Sequence, residues 1–473
     1  VQHNKNPQLD SNFYFGPGSN IFERIRNGKV YIAPASPIGE LWKPQKNNFA
    51  PRLGFAWDLF GDGKTSLRGG YGIAYERNFG NVTFNVIQNP PNYAVVSIIA
   101  GIDVPTIPIS VSNAGPLAGT GSKVLPVTSL RHVREDIKTA YAHLYSLSFE
   151  HELAPRTIVS VEFTGSAGRR LYDIANINRS GTGLRYLNST TPLVTGGTTT
   201  RLNGQYSDIN TRGSNGRSNY NALVASIESS NWRNLGLNFG ARYSYAVTKD
   251  DLSSTFSESS NNFNLGYLDP FNPDLDYGYS DFDIRHRFIG NFTWDIPVAR
   301  NAHGFTRQAF GGWTLAGIIE ARTGAPFTVY DCTNAITTCI RLIPTGALSF
   351  SGSGNPPPIS GTPNRFNYID LSNQTPSSFT DVSGGTEVGP FPSNMTRRNA
   401  FRRPGYWNID GAVYKEFFFG EKYRLQLRGE FFNLFNHPNL FIRAGETDIS
   451  SFNYVPAYRD GRRNVQLALK FIF

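Results

Sequence analysis

Charge is scarce in this chain of 473 residues, and long apolar runs are missing. Asp, Glu, Lys and Arg together make up 17% of it, whereas an ordinary soluble domain has about 25%. The longest apolar candidate, 93–102, is about half of the roughly 18 to 20 residues that a membrane helix requires, and it contains Ser97. The sequence therefore excludes a helical membrane protein. It leaves a membrane β-barrel open, because lumen-facing residues lower the average hydropathy of a barrel.

Methionine and cysteine are equally rare. Met395 is the only methionine, so we expect that Val1 is not a translation start and that an N-terminal region, with any signal peptide, precedes it. Cys332 and Cys339 are the only cysteines and lie in one polar segment. They could close a short disulfide loop, which suits an oxidising envelope compartment better than a cytosol. The sequence alone does not decide whether they pair.

Motifs of common enzymes are also missing. The chain contains no GxSxG, HExxH, GxxxxGK[ST] or CxxC motif, so we expect neither catalysis nor a cofactor. Its seven histidines lack the i,i+4 spacing of a metal site. The formal charge of +9 comes from scattered Arg and Lys, which favours a lumen wall or loops near anionic lipid over nucleic-acid binding.

A group of aspartates is the one candidate for a cation site. It could bind Ca²⁺ in a loop or be solvated loop charge, and its spacing lacks the EF-hand pattern. We therefore expect no metal. The group comprises Asp269, Asp274, Asp276, Asp281 and Asp283.

What the sequence does contain is aromatic residues, at 14%, and a repeated alternation of apolar and polar residues. The 47 Gly and 29 Pro argue against long helices. Period-two segments of roughly nine to eleven residues, joined in pairs by tight turns, predict about eleven antiparallel strands, each with one apolar and one polar face. The first pair turns at the Asp-Gly dipeptide 62–63. The others turn at 154–156, near Asn231, across 297–312 and at 420–422.

Tyr and Trp recur near the strand ends, as in the interfacial girdles of membrane proteins. They are Trp57, Tyr71, Tyr75, Tyr141, Tyr145, Tyr243, Tyr245, Trp294 and Trp313.

The connections alternate between short turns and long segments rich in Gly, Ser, Thr, Asn and Pro. Outer-membrane barrels show this asymmetry, with short periplasmic turns and long extracellular loops. We assign 48–473 to the barrel and 1–47 to a loop or to the end of a preceding barrel segment. The predicted long loops are about 77–138, 170–217, 247–282 and 328–406.

Six motifs follow one another over most of the chain. In this order and spacing they resemble TonB-dependent outer-membrane transporters of the Oar-like subfamily. They are NFAPRLGFAWD at 48–58, LRGGYG at 67–72, DFDIRHRF at 281–288, GWTLAGI at 312–318, RTGAPF at 322–327 and EFFNLFNHPN at 430–439.

The resemblance implies an all-β fold, a transmembrane antiparallel β-barrel of the outer-membrane type. This chain would supply about eleven C-terminal strands of a 22-stranded barrel. Phe471 and the terminal Phe473 resemble the signal that barrel-assembly machinery recognises. The plug domain is absent from the chain, and so is the segment that contacts TonB. Because an open half-barrel would leave strand edges unsatisfied in lipid, at several kcal/mol for each group, we expect the chain to be a fragment.

The implied function is transport of an unknown ligand across the bacterial outer membrane, by uptake or export, with inner-membrane energy. A passive porin-like channel or a surface adhesin is the alternative. The expected partners are outer-membrane lipid and lipopolysaccharide, the barrel-assembly machinery, the TonB complex through the missing N-terminal region, and the ligand.

Charged residues in the polar register predict a lumen wall, because an Arg in the lipid-facing register would cost about 2 to 4 kcal/mol. They would bind one another or the plug, or line a substrate path. They are Arg52, Arg68, Glu162, Arg242, Glu320, Arg322, Arg424, Arg428 and Glu430.

Overall fold

A computed structural model gives an all-β fold with two short helices among the residues that it describes, so the predicted fold class is confirmed at that level. The helices are α1 (Ile21–Arg26) and α2 (Gly304–Phe310), with 3-10 turns at Ala33–Ala35 and Pro273–Asp276. Among the described residues, neither helix has the length and apolarity needed to cross a membrane. The structure describes residues 10–76, 86, 88–91, 127–181, 201–254, 264–335, 338–350, 356–362, 364–376, 391–420 and 422–473.

The strands range from two to 24 residues. In chain order they are β1 Ser11–Tyr14, β2 Lys29–Ile32, β3 Arg52–Asp58, β4 Thr65–Tyr75, β5 Leu130–Val133, β6 Tyr141–Ala154, β7 Thr157–Asn176, β8 Ile209–Trp232, β9 Leu237–Asp250, β10 Gly278–Tyr279, β11 His286–Asp295, β12 Trp313–Arg322, β13 Pro326–Phe327, β14 Tyr330–Asp331, β15 Ile340–Arg341, β16 Ser349–Phe350, β17 Arg365–Asp370, β18 Phe401–Arg402, β19 Tyr406–Phe419, β20 Tyr423–Phe432, β21 Asn439–Phe441, β22 Tyr454–Asp460 and β23 Asn464–Ile472.

One large sheet organises the molecule. Its continuous path runs β3-β4-β6-β7-β8-β9-β11-β12-β19-β20-β23, and every neighbour on this path is antiparallel. Two short strands join it from the side: β10 pairs with β9, and β5 pairs in parallel with β8. Within the described residues β3 and β23 are paired on one side only, so the sheet is open.

The predicted hairpin turns are confirmed, and their backbone explains their residues. Gly61 and Gly63 have φ of 71° and 72°, a left-handed conformation that glycine adopts without a steric penalty. Asp58 fixes this turn because its carboxylate accepts the backbone N–H groups of both glycines at 3.0 and 2.8 Å. Arg156 and Asn231 hold φ of 63° and 50° in the next two turns.

Two strands run further than the sequence pattern predicts. β7 and β8 have 20 and 24 residues, and they continue through 170–176 and 209–217, which the sequence analysis assigned to a loop. Pairing persists there, from Asp173 opposite Gly213 to Asn176 opposite Asn210. The alternation of apolar and polar residues ends before these strands do. Alternation arises where the two faces of a strand meet different surroundings, and the extended parts of β7 and β8 pack within the loop layer instead.

Most buried apolar residues lie outside the large sheet. One cluster joins Phe13, Ile25 and Leu130 to the far ends of β7 and β8, and another surrounds Phe327, Ile369 and Val455 on the short strands. The N-terminal segment, expected to be a loop or the end of a preceding barrel segment, forms the β1-β2 pair and α1 of the first cluster. These clusters form a layer on the side of the long connections, which we call the loop layer. It comprises the described residues within 10–47, 127–140, 172–216, 250–283, 324–405 and 437–461.

Candidate functional site

The sheet has two chemically different faces, which its register defines. Residues that pair directly across antiparallel strands lie on the same face, so the pairing can be followed from strand to strand. The series of directly paired residues begins at Arg68 of β4 and continues with Ser148 of β6 and Glu162 of β7. It reaches Arg322 of β12 four strands after β7. The structure places all nine charged residues of the sequence analysis on this face, which we call the charged face. They are Arg52, Arg68, Glu162, Arg242, Glu320, Arg322, Arg424, Arg428 and Glu430.

Ion pairs connect the charged face between β4 and β12. Arg68 Nη1 lies 3.4 Å from Glu150 Oε2, and Arg242 Nη2 lies 3.9 Å from Glu162 Oε2. The Glu320 carboxylate lies 3.6 Å from Arg322 and also 3.0 Å from Arg287. These side chains are roughly one-third to two-thirds exposed, so each pair contributes little to stability, about 0 to 1 kcal/mol. Such groups are available to a ligand or to another part of the protein.

Side chains of β19 and β20 also contact one another on the charged face. Arg424 Nη1 lies 3.6 Å from Glu416 Oε2, and Arg428 stacks over the Tyr414 ring at 5.3 Å. The Tyr414 hydroxyl donates to Glu430 Oε1 at 3.3 Å. Arg52 is exposed at the edge strand.

Sequence reasoning missed several partners on this face. The missed side chains share the period-two register of the predicted ones, so extending the alternation along each strand would have found them. They are Glu150, Arg287, Tyr414, Glu416 and Gln426.

The opposite face, which we call the apolar face, exposes large aliphatic and aromatic side chains. Trp57 is 58% exposed, Leu147 47% and Leu467 75%. A soluble protein would bury these residues, and a contiguous apolar surface of this extent marks contact with lipid or with protein. The Tyr and Trp residues predicted to form girdles lie on this face. Trp57, Tyr75, Tyr141, Trp294 and Trp313 are at or next to strand ends, whereas Tyr71 and Tyr243 lie in the middle of β4 and β9. Phe471 and Phe473 also lie there, stacked at 6.1 Å between ring centroids.

Buried arginines hold the loop layer together and anchor it to the sheet. Arg398 and Arg341 have side chains with no solvent exposure. Arg398 pairs with Asp250 at the end of β9, and Arg341 pairs with Asp276 within the loop layer. Arg398 also donates through Nε to the carbonyl oxygen of Asp276 at 2.8 Å. Because a buried pair with extra hydrogen bonds is costly to break, these contacts fix the loop layer above the long-connection ends of the strands.

The aspartates considered as a cation site contact arginine or other donors. Asp276 binds Arg341, Asp274 binds Arg217, and Asp283 contacts both Arg402 and Arg285. Asp269 accepts the backbone N–H of Phe271, and Asp281 accepts the amide of Asn399. In the described part of the chain, no three His, Cys, Asp or Glu side chains are arranged to hold a metal ion. The aspartates of the loop layer are thus neutralised mainly by guanidinium groups.

Burial shifts the pKa of several groups in the loop layer, among them Asp173, Asp251 and His132. It raises the pKa of Asp173 to about 6, although the backbone N–H of Asn215 donates to this carboxylate. It likewise raises the pKa of Asp251 to about 6, against the effect of Arg217. His132 is fully buried, which lowers its pKa to about 3 and keeps the imidazole neutral. The first two carboxylates therefore titrate near pH 6, well above the usual range of an aspartate.

Cys332 and Cys339 form a disulfide in the loop layer, with their Cα atoms 4.5 Å apart. The backbone N–H of Cys339 donates to Asn264 Oδ1 at 2.8 Å, and the amide of Asn264 donates back to the carbonyl oxygen of Cys339. The closed loop is therefore tied to a distant segment of the chain.

A cavity of about 520 Å³ lies where the charged face meets the loop layer. Arg322, Asn408 and Asp410 line it from the large sheet, and Arg403 and Asp460 line it from the neighbouring segments. Its volume lies within the range of small-molecule sites, about 300 to 1,000 Å³. Of the predicted lumen residues, Arg322 is the one that borders it.

The sequence model of one protein family matches nearly the whole chain. The family is described as "Outer membrane beta barrel domain", and the match covers residues 1–466. No curated protein matches the chain.

Several solved structures are similar. The outer membrane transporter YddB from Escherichia coli is 11% identical, covers 90% of this chain and has a TM-score of 0.47. The siderophore receptor PirA from Acinetobacter baumannii is 13% identical and also covers 90%, with a TM-score of 0.41. The ferripyoverdine receptor of the outer membrane of Pseudomonas aeruginosa is 10% identical and covers 91%, with a TM-score of 0.40. The chain spans only 41%, 41% and 33% of these three proteins.

Proposed function

We propose that this chain, which belongs to the outer membrane beta barrel domain family, is the C-terminal barrel portion of a TonB-dependent transporter. It is a protein of the bacterial outer membrane. The complete protein would close a barrel of 22 strands around an N-terminal plug. It would move a ligand across the membrane with energy from the inner-membrane TonB complex.

The observation that carries this proposal is the division of the large sheet into an apolar and a charged face. In a membrane barrel the apolar face contacts lipid and the opposite face lines the lumen, which holds water or a plug. The pairs of the charged face are exposed and weak, so their groups can exchange partners with a plug or a passing ligand. The order of the six sequence motifs supports the transporter assignment within this fold.

The site that we propose for the ligand is the cavity between Arg322 and the loop layer. Arg322, Arg403, Asp410 and Asp460 are all among its lining residues, so the lining contains charges of both signs. Such a lining suits a polar ligand with both acceptor and donor groups. Long loops above a rigid sheet are the usual position of recognition residues.

Conductance of the native protein tests the proposal without knowledge of the ligand. The protein would be purified from outer membranes, its intact mass and N-terminal sequence measured, and single channels recorded in planar bilayers. We expect a product about twice the mass of this chain that begins with a plug-like domain. We also expect a closed membrane that conducts only after the plug is unfolded with urea.

The alternative is a passive porin-like channel or an adhesin barrel. A product near the mass of this chain, with steady conductance in the absence of denaturant, would overturn the transporter proposal in favour of a porin. A product of that mass that never conducts would support an adhesin.

A further inference from the structure

One buried arginine of the loop layer, Arg212, pairs with no carboxylate among the residues that the structure describes. It lies in the extended part of β8 and is 4% exposed. Its neighbours in the register are Val133 of β5 and Ile174 of β7, which are apolar and buried. Arg212 Nη1 donates to the carbonyl oxygen of Asn210 at 3.2 Å, whereas Nε is buried without a hydrogen-bond partner. The protein itself therefore does not neutralise this guanidinium.

A second arginine, Arg131, lies beside it on the same face. β5 pairs with β8 in parallel, with Arg131 opposite Asn210 and Val133 opposite Arg212. Because side chains two positions apart on a strand share a face, Arg131 and Arg212 are diagonal neighbours, with Cβ atoms about 7 to 8 Å apart. Arg131 is partly exposed, and within the described ranges its guanidinium forms no ion pair or hydrogen bond. Two side chains of this length can contact one ion between them.

Neighbouring arginines of the loop layer do have acidic partners. Arg201, whose side chain is 8% exposed, lies 2.6 Å from Asp208. Arg134 follows Arg131 in the chain and lies 3.0 Å from Asp136. Arg131 and Arg212 thus differ from the arginines around them in charge compensation.

The surroundings of Arg212 disfavour its charge. Burial lowers the pKa of Arg212 to about 10, and the positive charge of Arg131 acts in the same direction. The side chain is still protonated at neutral pH, so the folded protein contains a buried cation. A buried charge without a partner costs stability. An anion in contact with both guanidinium groups would remove that cost.

We propose that Arg131 and Arg212 bind an oxyanion, the phosphate or carboxylate group of a small molecule. The planar fork of a guanidinium binds either group through two parallel hydrogen bonds. Neither arginine lines the cavity at Arg322, so the oxyanion site is a second site, and it does not depend on the proposed transport function. Since it connects β5 to β8, an oxyanion bound there would stabilise the part of the loop layer into which the large sheet continues.

Hydrogen exchange on the complete protein in lipid nanodiscs tests the proposal. Inorganic phosphate and acetate would be titrated separately at neutral pH and constant ionic strength, with chloride as the balancing anion. We expect the protection of amides in 127–134 and 209–216 to rise and saturate with at least one of the two oxyanions. The rise should be roughly tenfold when the oxyanion is at about ten times its Kd. Amides of β19 and β20 should not change. A response to phosphate alone would assign a phosphorylated ligand, and a response to acetate alone would assign a carboxylate.

Arg212→Met distinguishes a binding site from a structural arginine. The variant should lose the response to the oxyanion. Without oxyanion, its amides in 209–216 should be protected at least as well as in wild type, and by up to roughly tenfold more, because an apolar side chain replaces an uncompensated charge. Arg201→Met is the matched control. Since Arg201 has a partner, this variant should lose roughly tenfold or more in protection and still respond to the oxyanion.

Arg131→Gln is a second variant, whose folding is not in question because Arg131 is partly exposed. It should raise the Kd for the oxyanion by roughly tenfold.

No response of the wild type to either oxyanion, or an equal response to chloride, would overturn the proposal. An unchanged Kd in Arg212→Met or in Arg131→Gln would do the same. A loss of protection in Arg212→Met, with no response of the wild type, would show that a carboxylate of the complete protein already occupies the site, which also contradicts the proposal. The assay measures neither conductance nor the mass of the native protein, so its failure would leave the transporter proposal untouched, and the reverse is also true.

Discussion

Arg398→Met should release part of the loop layer from the sheet. The Arg398 side chain has no solvent exposure and forms contacts in three directions. Its Nη2 binds the carboxylate and the carbonyl oxygen of Asp250 at the end of β9. Its Nε donates to the carbonyl oxygen of Asp276 at 2.8 Å, and its Nη1 donates to Ser253 Oγ at 3.1 Å. One side chain thus connects the segment 391–403 to two elements that are far away in sequence.

The expected loss of stability in Arg398→Met follows from the burial of the ion pair between Arg398 and Asp250. Removal of Arg398 leaves the Asp250 carboxylate, whose side chain is 7% exposed, without its counter-ion, which costs about 3–5 kcal/mol. Asp250→Asn removes the charge as well, so the double variant should lose less than the sum of the single losses, with a coupling of about 1.5 kcal/mol or more. Arg424→Met is the matched control. Its pair with Glu416 is 3.6 Å long and 48% and 20% exposed, which limits the loss to about 1 kcal/mol.

Hydrogen exchange measured by mass spectrometry on the complete protein in lipid nanodiscs reports this loss segment by segment. Amides in 391–403 and 273–279 should lose protection equivalent to about 3–5 kcal/mol, or fall to the level of local opening if that is lower. Amides of β19 and β20 should not change. A loss below about 1 kcal/mol in Arg398→Met, or an equal loss in Arg424→Met, would refute the anchoring role.

Three further predictions concern the loop layer and the two faces of the sheet. Gly266→Ala would place its Cβ 1.8 Å from a backbone oxygen, whereas Gly39→Ala, at nearly the same positive φ, meets nothing within 4 Å. Both variants carry backbone strain of about 1 kcal/mol from the positive φ. The steric contact is additional in Gly266→Ala, so hydrogen exchange should show a loss of stability at least about 2 kcal/mol larger for this variant than for Gly39→Ala. Equal losses of stability in the two variants would contradict the close contact. Leu147→Arg should cost about 2–4 kcal/mol in urea unfolding from vesicles, and Ser148→Arg, on the charged face, less than about 1 kcal/mol; equal costs would refute the two-face assignment. Burial raises the pKa of Asp173 from 3.8 to about 6, so the carboxylate binds a proton more tightly in the folded state than in the unfolded state. The protection of loop-layer amides against hydrogen exchange should therefore rise by up to about 3 kcal/mol as the pH falls from about 7 to 4, after correction for the intrinsic exchange rate. Asp173→Asn should remove this contribution, and an unchanged pH profile in the variant would contradict it.

The hairpins and their two faces could be predicted from the sequence because a boundary between lipid and water imposes period-two alternation. Leu53, Phe55 and Trp57 followed by an Asp-Gly turn were enough to place β3 and β4. The same alternation placed Arg68 and Glu162 on one face. It did not show which side chains form ion pairs. Arg68 binds Glu150, which lies opposite Ser66 on the neighbouring strand, and such a contact depends on the register between two strands rather than on the pattern of one.

The loop layer could not be predicted, for a different physical reason. Arg398 and Asp250 are 148 residues apart in sequence, and each stands in a polar segment that is typical of solvated loops. A buried ion pair has no local periodicity, since its two members need only each other and a few carbonyl oxygens. The group of aspartates shows the same limit of sequence patterns. Asp276 and Asp283 have the spacing of solvated loop charges or Ca²⁺ ligands, and only the fold shows that they pair with Arg341 and Arg402.

The large sheet exposes its apolar side chains and the loop layer buries its own, so the two parts of the molecule have different sources of stability. Apolar side chains of the large sheet point outward, so lipid supplies the driving force that a soluble protein obtains from its core. The loop layer contains its own buried clusters and arginine pairs, so it follows the rules of a water-soluble domain. β7 and β8 belong to both parts because they extend from the apolar face into the first cluster, with two shifts of their register near Leu171. A ligand that reorganises the loop layer could therefore transmit strain to the charged face through these two paired strands, which continue across the boundary, while single connecting segments elsewhere could yield locally.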